Sequence, residues 1–195
     1  MKKTLIATLA LLVLVSGCTQ QSPSEPNKTS SPTTQKPFPT SEIKNISLKL
    51  TSPAFLDGGP IPQKYTCDGE DFSPPINITG VPENTKSLAL IVDDPDALGP
   101  AGKIWTHWIL WNINPLLQEI NENSVPGVQG VNDFGLKKYR GPCPPDKEHR
   151  YLFHLYALDT ELNLPEGSKK SDLEKAMEGH VLQEKVLTAV YKRTK

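Results

Sequence analysis

The chain of 195 residues carries 21 basic and 22 acidic residues, a formal net charge of −1. No long basic stretch interrupts this near balance, which argues against nucleic-acid binding, whose electrostatic footprint is missing. Without residues 1–17, which hold Lys2 and Lys3 and no acid, 19 basic residues face 22 acidic ones and the net charge is −3.

Residues 1–17 open on those two lysines and continue as an apolar run over 5–15, too short to span a bilayer comfortably and shaped like a secretory signal. The run ends in Val-Ser-Gly-Cys at 15–18, which resembles a lipoprotein signal box. That likeness implies that Cys18 is lipidated and holds the mature protein at the cell membrane, facing outside the cytoplasm. A plain signal peptide or an uncleaved anchor is the alternative. One lipid chain anchors weakly, so firm attachment needs more than one. Residues 18–42 read as a disordered tether: 18 of the 23 residues at 19–41 are Ser, Thr, Pro or Gln, a composition that builds no core.

Residues 43–195 suffice for one domain. Ile46, Leu48 and Leu50 alternate with polar residues as a half-buried strand does. Residues 52–73 are rich in Pro and Gly, and YTCDGEDFSPP runs from 65 to 75. A short strand is expected at 76–79 and a turn at 80–86. The continuous apolar run at 87–92 suits a strand buried on both faces. Asp93, Asp94, Pro95 and Asp96 follow, and Pro95 and Pro100 should end the ladder. From Ile104 the alternation resumes, with Trp105, His107, Ile109 and Trp111 on one face and Ile104, Thr106, Trp108 and Leu110 on the other. An acid-rich strand end thus lies next to a strand start carrying His107, a plausible pocket rim.

Turns are expected at 121–123 and 127–130. Three prolines in four positions make 141–145 a stiff, irregular loop. His149, Tyr151, Phe153 and Leu155 then alternate with Arg150, Leu152, His154 and Tyr156. Ser171-x-x-Glu174 reads as a capping box opening a helix with Leu173, Ala176 and Met177 on one side. Gly179 breaks it, and 181–191 reads as a second helix with an apolar face. Short strands first, helices last and no βαβ alternation give a mainly β fold: a mostly antiparallel sheet with helical cover.

Of the four histidines, His107 and His149 border Pro/Gly loops, His154 is mid-strand, and His180 sits at a helix boundary. A carboxylate such as Asp94 or Asp96 beside imidazole orients the ring and raises its pKa. Two such rings near a loop with free N–H groups make an anion site. The carboxylate can receive an ammonium group, so the set suits a zwitterion such as a phosphoamine head group. A purely structural Asp–His pair fits the same residues. Two histidines with aspartate are also a ligand set for zinc or non-haem iron, but HxH and HExxH spacings are absent, as are the GxSxG elbow and the dinucleotide and Walker-type loops. No cofactor and no enzymatic activity are expected. Cys67 and Cys143 can pair outside the cytoplasm or remain thiols.

YTCDGEDFSPPINITGVPENTKSLALIVDDPDA, WTHWILWNI and GPCPPDKEHRYLFHLYALD, in that order, resemble the phosphatidylethanolamine-binding protein family, closest to its bacterial and archaeal branch; eukaryotic relatives include the Raf kinase inhibitor protein. The likeness spans about 46–193. It implies a central antiparallel sheet with a smaller sheet, and a small pocket at one end that binds phosphate-like anions or phospholipid head groups such as phosphoethanolamine. Asp94, His107 and His149 match the residues lining that pocket, and Asp96, Gly141, Pro142 and Tyr151 match their neighbours. The chain departs from the usual pattern at Leu98, at Thr106 and at Asp146-Lys147-Glu148, where a histidine and a glycine are common at the last two. These departures imply a differently shaped cradle. The alternative reading is a protein-interaction module that inhibits a protease or kinase.

Overall fold

A computed structural model describes residues 47–194. Within them lie β1 (Lys49–Thr51), β2 (Gly59–Pro60), β3 (Ile76–Thr79), β4 (Ser87–Asp94), β5 (Trp105–Ile113), β6 (Glu119–Ile120), β7 (Val128–Gln129), β8 (His149–Leu158) and β9 (Val181–Tyr191), with helices α1 (Leu98–Ala101) and α2 (Lys170–Met177). The expected signal segment, Cys18, the 18–42 tether and Ile46 lie outside the described residues.

Six strands form one sheet in the order β2-β9-β8-β4-β5-β7, and β1-β3-β6 form a smaller one. All pairings are antiparallel except β2 with β9. The apolar run in β4 takes an inner position, flanked by β8 and β5, and is buried from end to end. Its alternate residues serve two cores. Leu88, Leu90 and Val92 join Leu50, Ile76, Ile78 and Ile120 of the small sheet. Ala89 and Ile91 join Ile109, Trp111, Leu173 and Met177 on the opposite face, where α2 packs. Each fully buried Leu or Ile contributes about 1.5–3 kcal/mol of transfer free energy. The sheet is therefore covered on both sides, and the end of β4 and the start of β8 carry Asp94 and His149.

The C-terminal expectation needs two corrections. Residues 181–191 are not a helix but the long strand β9, antiparallel to β8 through ten paired positions from His149–Tyr191 to Leu158–Val181. Val181, Val186, Thr188, Val190 and Tyr191 favour strand, and at the far end Leu187 and Ala189 are buried with period 2. The helical spacing of apolar residues was a weaker signal than this pairing. In α2 the box lies two residues earlier than expected: the Lys169 N–H donates to Asp172 Oδ2 at 2.9 Å, and Ser171 falls inside the helix.

The β4–β5 connection is compact. A 3₁₀ turn at Pro95–Ala97 leads into α1, placing proline where a helix start lacks a use for its N–H. A disulfide joins Cys67 to Cys143, with Cα atoms 5.5 Å apart, and ties the 141–145 loop to the 65–75 segment.

Candidate functional site

Asp94 closes β4 and has two tasks. Its Oδ1 accepts the Ala97 N–H at 3.0 Å, capping the turn that follows. Its Oδ2 lies 2.8 Å from His149 Nδ1. His149, at the start of β8, is 1 % exposed, and its Nε2 lies 2.9 Å from Asp146 Oδ1. An ionised carboxylate only accepts, so both contacts are hydrogen bonds when the ring carries both protons, a cation held between two acids.

His107 reaches the site through a β-bulge. Val92 pairs with Trp108 but Asp93 pairs with Thr106, so His107 is an extra residue in β5. The expected common face of Trp105, His107, Ile109 and Trp111 therefore breaks. Ile109 and Trp111 pack toward α2, whereas His107 meets Tyr151 edge-on, ring centroids 5.2 Å apart. Strict alternation cannot anticipate an inserted residue, because each insertion reverses the faces beyond it.

The His107 ring is held from behind. Its Nδ1 lies 2.5 Å from the Arg140 carbonyl, which fixes the proton on Nδ1 and leaves Nε2 of the neutral ring as an acceptor. Burial pushes its pKa below the ordinary 6.5, against smaller opposing effects of the Arg140 carbonyl and of Asp94, Asp93 and Asp71. His107 is therefore neutral near pH 7, and its Nε2 is an acceptor. Arg140 is fixed in turn by Asp71, whose carboxylate takes the guanidinium at 2.5 Å and the Gly141 N–H at 2.7 Å. Asp71 has a φ of 60°, a left-handed conformation that a short polar side chain tolerates.

These groups open on a cavity of about 220 Å³. Asp94, His107 and His149 supply the polar part, and Trp105, Phe134 and Pro145 most of the apolar wall. The Trp105 and Phe134 rings meet edge-on at 5.4 Å. The volume is below that of a typical drug-sized site and suits a ligand of a few heavy atoms or one end of a larger one.

Of the seven residues singled out in the sequence, Asp94, His107 and His149 are brought together in the cavity wall, and the other four stand outside it. Asp96 binds Arg150 through the backbone N–H, Nε and Nη2 at 2.8–2.9 Å, which holds its pKa at about 2. Tyr151 lies behind His107; burial, and then the Asp94 charge, push its phenol far up. Gly141 and Pro142 shape the loop, Pro142 accepting the Cys67 N–H at 3.1 Å. Among the described residues no group of three His, Cys, Asp or Glu is placed to hold a metal ion. Sequence reasoning missed Trp105 and Phe134 as wall residues, Asp71 as the anchor of Arg140, and Asp146. Asp146 was the most accessible of these, standing three residues before His149.

The profile of the family described as phosphatidylethanolamine-binding protein matches residues 51–192. The chain belongs to the phosphatidylethanolamine-binding protein family. A UPF0098 protein of Methanothermobacter thermautotrophicus is 53 % identical over 154 residues, covering 75 % of this chain and 99 % of that protein. A family homologue from Chlamydia trachomatis, known as a crystal structure, superposes with a TM-score of 0.73 at 42 % identity, over 76 % of this chain and 99 % of that one. YbcL of E. coli, described as a member of the mammalian family, gives 0.70 at 30 % identity with the same coverage. The mainly β architecture of two sheets and two short helices is the fold of these family members.

Proposed function

We propose that this chain is a small-ligand-binding member of the phosphatidylethanolamine-binding protein family, without enzymatic activity, whose cavity takes a phosphate-like anion or a phosphoethanolamine head group. The observation that carries this reading is the buried His149 ring in the cavity wall, its Nδ1 2.8 Å from Asp94 and its Nε2 2.9 Å from the half-exposed Asp146. A charged donor in such surroundings binds an anionic oxygen strongly, because water competes poorly there. The Nε2 lone pair of His107 and the Asp94 carboxylate would accept from the ammonium or a hydroxyl of the same ligand. We further propose that lipidated Cys18 tethers the domain outside the cytoplasmic membrane.

Calorimetric titration of the purified protein with inorganic phosphate and phosphoethanolamine tests the pocket. Saturable binding that His149→Ala abolishes is the expected result. Absence of heat with both ligands refutes it. The tether is tested by metabolic labelling with a radioactive lipid precursor, which Cys18→Ser should eliminate.

A second reading is favoured by one observation. Leu98 is 59 % exposed, and Ile104, Phe134 and Leu136 are exposed too, all on segments that form the rim. Apolar side chains in such a place suit a protein partner, such as a protease or kinase that the chain would inhibit. Inhibition that survives His149→Ala but is lost in Leu98→Asp would favour this reading over the first.

A further inference from the structure

The geometry points to Asp146 as the specificity-determining residue of the pocket: its carboxylate occupies the position of the ligand's anionic group and must be displaced for a ligand to bind. This rests on the reading of the cavity as an anion site.

The two nitrogens of His149 are differently placed. Nδ1 is committed to Asp94, which is itself buried and fixed by the Ala97 N–H. Nε2 is held only by Asp146, whose side chain is 51 % exposed. The Lys147 N–H, and then His149, hold the Asp146 carboxyl below the usual carboxylate range, so it is ionised at neutral pH. A carboxylate oxygen 2.9 Å from an imidazole nitrogen that carries a proton makes the same bond that a phosphate oxygen would make. One hydrogen on Nε2 cannot serve both well.

Asp146 also has a second place to go. It lines a separate cleft of about 160 Å³ together with Lys147, Lys192 and Arg193, and Pro145 lines both that cleft and the cavity. Arg193 is already paired with Asp68 at 2.6 Å. Lys147 and Lys192 form no ion pair among the described residues. Rotation of one half-exposed side chain would therefore exchange the His149 ring for the neighbourhood of Lys147 and Lys192, and the displaced charge would be received rather than stranded.

The consequence is selection by charge. A monocarboxylate offers His149 nothing that Asp146 does not already supply. A phosphate or phosphomonoester, with more charge and three terminal oxygens, outbids it. Asp146 thereby makes the pocket take phosphoryl groups and refuse simple carboxylates.

The test is titration of the full chain with inorganic phosphate, phosphoethanolamine and acetate, in wild type, Asp146→Ala and Asp146→Asn. The asparagine keeps the size and loses the charge, and guards against a misfolded alanine variant; a thermal melt checks both. The expected result is phosphate binding at least roughly tenfold tighter in both variants, the worth of one freed charge-assisted hydrogen bond, together with acetate binding that wild type lacks. If wild type binds phosphate and the variants bind it no tighter and still refuse acetate, Asp146 is not the selector and the anion site stands without it. If no form binds any of the three, the anion reading falls and this inference falls with it.

Discussion

Asp93 and Asp94 are adjacent in sequence and end on opposite faces of the central sheet. Asp94 points to the cavity and lies 2.8 Å from His149. Asp93 accepts the Thr106 hydroxyl at 2.9 Å and the Lys170 ammonium at 2.5 Å, joining β5 and α2 on the other side. Asp94 therefore serves the site as well as the turn it caps, and Asp93 serves the fold. Asp94→Asn should weaken phosphate binding roughly tenfold, since it replaces the carboxylate that accepts from His149 Nδ1 and orients the ring. Asp93→Ala should leave binding within about twofold but cost roughly 1–3 kcal/mol of stability, as it strands a buried hydroxyl and a half-buried ammonium. Urea unfolding beside calorimetry separates the two; equal effects of both substitutions on binding would contradict the division.

Acid should destabilise the protein in two steps. The fold accommodates the neutral His107 ring, so its folded pKa lies below the ordinary 6.5. Below pH 6.5 the unfolded chain takes up a proton that the folded one refuses, and stability falls until the folded ring also protonates. The Arg150 partner holds Asp96 at about 2 against an ordinary 3.8, so its contribution is full above 3.8 and disappears as the pH falls toward 2. Unfolding measured from pH 7.5 to 5 should show the first loss in wild type and a smaller one in His107→Gln. An identical slope in the variant would remove His107 as the cause.

The disulfide should matter for both stability and the site. It closes a loop of 76 residues in sequence separation, for which the chain-entropy argument gives roughly 4 kcal/mol. Cys143 also lines the cavity. Reduction, or Cys67→Ser with Cys143→Ser, should lower the melting temperature and weaken phosphate binding together. A reduced protein that melts as the oxidised one does would show that the bridge constrains little.

How far these features were legible follows from their physics. The β4 core strand, the β3 strand and the alternation in β8 are local patterns with unambiguous periods, and they stand in the structure at or close to the expected residues. The β9 strand was misread because VLQEKVLTAVY satisfies a helical period as well as its true one, and only the partner strand β8 decides between them. The three cavity residues Asp94, His107 and His149 were recognisable by type and motif. The protonation pattern was not: it depends on a bulge and on Arg140, 33 residues from His107 in sequence. Asp146 was marked only as part of the 146–148 departure from the family pattern and Asp71 only as part of the 65–75 motif, and loop residues have no period to reveal where their side chains point.

Gly141 connects the loop to the tautomer of His107, and a single methyl group should test that connection. A Cβ on Gly141 would lie 2.3 Å from the Tyr65 carbonyl oxygen and 2.8 Å from the Thr66 Cα. Both are backbone atoms beside the disulfide, so neither can yield without moving the 141–145 loop. Its amide is one of the two ties to Asp71, the other being Arg140, and Arg140 supplies the carbonyl that holds the His107 Nδ1 proton. Gly141→Ala should therefore cost roughly 1–3 kcal/mol by overpacking and also loosen the grip on that proton. Nitrogen-15 NMR of the histidine rings reads the second effect directly. Wild type should give a single Nδ1-protonated form of His107 near pH 7, and the variant a mixture with the Nε2-protonated form. A destabilised variant that keeps the Nδ1 form alone would mean that Arg140 is placed by something other than Gly141.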